Sequence, residues 1–159
     1  SKPCANSAYW IEGAATMTTI PGSTRLTIPP IMSVLVEDAM DVMIARSSAR
    51  RVAGLLGFAS PFRAQIATAV AVLADIIVNT ELSQTVHLNG LRDGAQTGMQ
   101  ISCAAPWLAA ADPKDALVAL LSKLEGLVDE VALEPGVSPR IVMMLWLSGD
   151  RTMSGNEYS

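Results

Sequence analysis

Histidine is nearly absent from this chain: His87 is the only one among 159 residues, which excludes a metal centre built from several imidazoles. Cysteine is almost as scarce. Cys4 and Cys103 lie far apart, with no CxxC motif or Cys/His cluster beside them, so neither a metal site nor a disulfide framework is indicated. Cys103 reads as a small core residue, and His87, inside an alternating stretch, as a strand residue rather than a general base. Charge is also low, at 16% of residues, and the net charge of -4 leaves no basic face of the kind a nucleic-acid binder shows. No glycine-rich turn joins a strand to a helix, which removes the Rossmann and P-loop routes to a nucleotide. No apolar run reaches the roughly 18 residues of a membrane span. The longest, Ile66 to Val78, is broken by Thr68 and Asp75 and reads as a deeply buried helix at the centre of a soluble core.

What is present is enough apolar material for one domain: half of the residues are hydrophobic, and a chain of this length buries a continuous core. Residues 1–16 show no period, and Met17 opens a segment that reads like a natural start, so the beginning is either an expression remnant or a genuine extension. It lacks the basic start and apolar h-region of a secretory signal, and a cytoplasmic location is expected. We divide the chain into an N-terminal extension over 1–23, one domain over 24–150 and a tail over 151–159.

Within the domain, alternation at Leu26 and Ile28, an interruption at Pro29 and Pro30, and a run from Ser33 to Val36 predict two short strands. Val42, Ala45, Ala49, Val52, Ala53 and Leu56 recur at helical spacing and predict a helix from about Asp38 to Leu56, stopped by Gly57. Its other side carries Met43, Arg46, Ser47 and Arg50. The two arginines are four positions apart and therefore adjacent, which makes this side either a contact face or an ordinary solvated face. Ser60 and Pro61 predict the cap and first position of a second helix, running to about Asn79. A hairpin follows, with strands near Gln84–Leu91 and Met99–Ala104 and turn residues between them. Asp112 and Pro113 open a third helix whose stripe comprises Leu117, Leu120, Leu121, Leu124, Leu127, Val128 and Val131. Ile141 to Leu147 gives a last strand, with Met143 and Met144 as gap-filling residues. The order suits an α/β (α+β) two-layer sandwich, a mixed sheet with helices on one face.

The segments DVMIARSSARRVAGLLGF, FRAQIATAVAVLADIIV and LRDGAQTGMQISCAAPWL, in this order, resemble the serine kinases and anti-sigma factors of bacterial partner switching. These belong to the histidine-kinase-like, or GHKL, ATPase superfamily. The resemblance extends from about Ser33 to Leu147. It implies a glutamate base and a magnesium-binding asparagine on the second helix, where this chain has Val72 and Ile76; neither aliphatic side chain accepts a proton or ligates a hard cation. It implies an adenine-reading aspartate and close glycines, where this chain has Cys103 and Trp107 in Cys103–Leu108. It also implies a lid, for which the four residues between Leu108 and Pro113 leave no room.

The resemblance therefore implies a non-catalytic regulatory module, a pseudokinase with no cofactor, no metal and no catalytic residues. Its partner is a protein, by resemblance a STAS-type antagonist or a sigma factor, met through Arg46 and Arg50; nucleic acid and membrane are not expected, and a homodimer is left open. Two alternatives stand beside it. One is a divergent serine/threonine kinase using Asp75 or Asp112 as a replacement acid, although Asp75 facing solvent or pairing with an arginine is the simpler account. The other is a sensor that takes an apolar ligand in a cavity lined by Val72, Ile76 and Trp107.

Overall fold

Strands whose every second residue is apolar bury one side against a partner layer, and here the helices supply that layer. The computed structural model describes residues 9–11, 25–109, 112–134 and 137–153. Its elements are β1 (Tyr9–Ile11), β2 (Arg25–Val36), α1 (Ala39–Leu56), α2 (Ser60–Thr80), β3 (Gln84–Asp93), β4 (Gln96–Ala104), α3 (Pro113–Leu124), β5 (Glu130–Glu134) and β6 (Arg140–Leu147). The six strands lie in the order β1-β5-β6-β4-β3-β2.

The α+β class and the helices on one face are as expected, but the expected mixed sheet is antiparallel at every pairing. Val36 pairs with Gln84, so the chain leaves and re-enters the sheet at the same end. An excursion of two helices thus returns the strand in the opposite direction, whereas a parallel neighbour needs a crossover to the far end.

The two short strands expected around Pro29 and Pro30 are one strand of 12 residues. The register jumps from Ile28↔Gly90 to Ile31↔Asn89, so the prolines sit in a bulge where no ladder N–H is required. A second correction concerns the third helix. It ends at Leu124, Gly126 adopts a left-handed φ of 77°, and Val131, expected on the helical stripe, belongs to β5. Leu124, Leu127, Val128 and Val131 are spaced as a helix face, yet the left-handed turn breaks that continuity.

Tyr9–Ile11, inside the segment set apart as an extension, adds an edge strand on β5, and Thr152, inside the tail, bridges to Phe58. Cys4 and Met17 lie outside the described residues.

Val34, Val86, Leu88, Met99, Ile101, Met143 and Leu145 from the sheet meet Ala49, Val52, Ile66, Val70, Leu73 and Ile77 from α1 and α2 in one core. The opposite sheet face carries a smaller cluster of Leu91, Ala132, Val142, Met144 and Trp146, with no helix residue in it. Apolar content also corrects the reading of α2. Over 21 residues, close to the expected Ser60 to Asn79, and with a mean hydropathy of 1.5 in its most apolar window, it is long and apolar enough to cross a membrane; the unbroken run Ile66 to Val78 alone understated this. In the fold, Ile66, Val70, Leu73 and Ile77 face the core.

Candidate docking groove between the first two helices

The site begins with a well-fixed helix start. Asp38 caps α1, its Oδ1 accepting from the backbone N–H of Met40 at 3.0 Å, while Asp41 Oδ2 accepts in return from the N–H of Asp38 at 3.2 Å. This reciprocal capping box satisfies donors that the helix itself leaves open. At the other end Gly57 takes a left-handed φ of 105° and closes the helix as expected. Between these ends Ala45, Ala49, Val52 and Ala53 are fully buried, and small side chains let α1 approach its neighbours closely. The orientation of the remaining residues follows from that packing.

The outward side of α1 combines two kinds of side chain. Met40 is 73% exposed, Met43 70%, Ile44 52% and Leu55 67%, although large apolar groups normally lose free energy by facing water. Arg46 and Arg50, the two expected contact residues, are exposed on this side and are brought together along one groove of about 630 Å³. Sequence reasoning missed two more of its arginines: Arg51, next along α1, and Arg63, which enters from α2. No periodicity within one helix reveals a side chain delivered by the next. Among the described residues, no carboxylate forms an ion pair with any of these four.

The residues that the resemblance sets at a nucleotide site are arranged differently. Val72 and Ile76 are partly buried and packed against the core, as is Trp107, which lies in a short 3-10 turn, Pro106–Leu108. Ile76 and Trp107 share a groove of about 170 Å³ with Leu108, Leu120 and Lys123; Val72 and Cys103 do not line it. Cys103 is buried in β4 as expected, and burial pushes its thiol up to about 12 against the opposing pull of Arg140. Such a thiol stays protonated and unreactive at neutral pH.

The replacement acids are occupied or solvated. Asp75 is exposed, and Asp112 caps α3 by accepting from the Lys114 N–H at 2.8 Å. His87 sits on β3 with Nδ1 at 3.0 Å from the Ser33 hydroxyl. Among the described residues no group of three or more His, Cys, Asp and Glu side chains is placed to hold a metal ion.

The other sheet face concentrates polar groups too, but there they are partnered. Arg25 Nε lies 3.3 Å from Asp93, and its Nη1 lies 3.3 Å from Glu130 Oε1, close enough for an ion pair although not aligned as a hydrogen bond. Trp146 Nε1 donates to Glu130 Oε2 at 2.6 Å, and the Arg25 guanidinium stacks 5.2 Å from the Trp146 ring centre. Burial holds the Glu130 carboxyl above the ordinary carboxylate range, against the lowering pull of Trp146 and Arg25. A second matched pair lies beside α2, where the Arg151 guanidinium stands 5.6 Å from the Phe62 ring centre: Asp129 accepts from Arg151 through both oxygens, at 2.6 and 3.0 Å, and from the Trp146 backbone N–H at 2.8 Å.

No protein-family model matches this chain, and no curated protein matches it significantly.

Proposed function

We propose that the chain is a non-catalytic regulatory module that works by docking a protein partner on the outward face of α1. The observation that carries this reading is the coincidence, on one helix, of exposed Met40, Met43, Ile44 and Leu55 with Arg46 and Arg50, which pair with no carboxylate among the described residues. Exposed apolar area rimmed by polar residues marks interaction surfaces, and methionine with arginine is enriched in them. Arg46 and Arg50 match the partner-contacting side of the first helix that the GHKL resemblance implies. By that resemblance the partner is a STAS-type antagonist or a sigma factor, and the setting is the cytoplasm.

The two alternatives draw less support. A divergent kinase has to use Asp75, which faces solvent, or Asp112, which is engaged as a helix cap. An apolar-ligand sensor has to work in a groove of about 170 Å³, below the roughly 300–1,000 Å³ of ordinary ligand sites.

The test is recovery of partners by the tagged chain from its native cell, comparing wild type with Arg46→Glu. A defined partner captured by wild type and lost on charge reversal supports the docking face. Equal recovery by both overturns it.

A further inference from the structure

Arg63 distinguishes the groove from a simple helix face. It arrives from α2 and lies across Gly54, where an added Cβ would stand 3.4 Å from Arg63 Cδ and 3.5 Å from Nη1. Among the described residues the Nε of Arg63 is buried without an acceptor, a state that costs free energy. Arg46, Arg50 and Arg51 line the same concavity, and Ser47 adds a hydroxyl. A chain with net charge -4 thus directs four of its 11 Lys and Arg residues into one groove, without a carboxylate among the described residues to neutralise them.

We infer that this groove binds a phosphate monoester, with the phosphoryl oxygens held by Arg63, Arg46 and Arg50 and the organic body resting on Met43 and Leu55. Guanidinium forks match oxyanions in two-point contacts. A dianion offsets the converging charges better than a single carboxylate does. The volume of about 630 Å³ lies within the roughly 300–1,000 Å³ range of small-ligand sites. The inference rests on the docking reading only where the ester is carried by a protein partner; for a free phosphate ester it stands alone.

Calorimetric titration of the whole chain with phenyl phosphate tests it directly, with benzenesulfonate as the monoanionic control. Saturable binding of phenyl phosphate, at least tenfold tighter than benzenesulfonate and strengthening as pH rises through the phosphate's second ionisation near 6, is expected. Arg63→Gln should weaken it tenfold or more, and Arg63→Lys should not restore it, because an ammonium lacks the fork. Arg92→Gln, on β3 outside the groove, should leave it unchanged. Circular dichroism checks folding, and Arg50→Gln on the exposed face replaces Arg63→Gln should that variant unfold. A phosphoserine peptide that binds tighter than phenyl phosphate assigns the ester to a protein, and equal binding assigns it to a small molecule.

Absence of saturation, equal binding of the sulfonate, or indifference to both arginine substitutions overturns the inference. Partner recovery is read separately. Loss of phosphate binding with capture still sensitive to Arg46→Glu removes this inference alone, and the reverse pattern removes the docking reading alone.

Discussion

The arginines of this protein live in two different settings. Around the sheet, Arg25 is matched to Asp93 and Glu130 on the helix-free face, and Arg151, beside the Phe62 ring of α2, is matched to Asp129. In the groove between α1 and α2, Arg46, Arg50, Arg51 and Arg63 converge with no such match among the described residues. The first group is built into the stability of the fold: removing either partner strands a buried or half-buried charge. The second adds little to folding and keeps its charge available for something else. The same residue type thus serves structure in one place and recognition in the other, and carboxylate placement decides which.

Breaking the matched side should have the largest effect. Asp129→Ala deprives Arg151 and the Trp146 backbone of their acceptor at once and should lower the unfolding free energy by about 2–4 kcal/mol, measured by urea denaturation. A loss below about 0.5 kcal/mol would erase the distinction between the two settings. Trp146→Phe keeps an aromatic ring and removes only the donor to Glu130; a loss of about 1–3 kcal/mol is expected for the acceptor left dry. Wild-type stability unchanged by this swap would mean that the indole contact is idle.

A smaller effect depends on pH. The Glu130 carboxyl is held above its ordinary value in the folded chain, so the folded state binds the proton more tightly than the unfolded state. Stability from this group is therefore greatest below the ordinary carboxylate range and declines as pH rises through the raised value. The difference in thermal midpoint between wild type and Glu130→Gln should shift against wild type across that window; a shift in its favour contradicts the sign. The smallest stability effect belongs to the groove, where Arg50→Ala should change the unfolding free energy by less than about 0.5 kcal/mol. A large loss there would show that Arg50 holds the fold.

Much of the architecture was readable because its signals were local. Asp38 and Gly57 bracket α1, Pro61 marks the first turn of α2, and the alternation in β3, β4 and β6 needs no distant information. Ala59 rather than Ser60 occupies the cap of α2, a shift of one residue that pattern reading does not resolve. The missing elements depended on distant contacts. β1 has 3 residues and exists through its pairing with β5, while β5 was absorbed into a helical stripe whose spacing it imitates. At the candidate site Arg46 and Arg50 were legible as an i, i+4 pair. Arg63 was not, because its place in the groove follows from how α2 lies on Gly54. The matched arginines gave no sequence signal either: Arg25 and Glu130 meet across more than a hundred residues of chain.

The bulge in β2 has a consequence for how molecules of this protein meet one another. Among the described residues β2 ends the sheet, and it presents exposed Leu26, Ile31 and Leu35. A strand of 12 residues with such side chains is a template for uncontrolled growth of the sheet from one molecule into the next. Pro29 and Pro30 interrupt that template near its middle, since neither offers an N–H and the ladder loses register there. An incoming strand therefore finds two short footholds in place of one long one, and the prolines act as a guard against fibrous assembly.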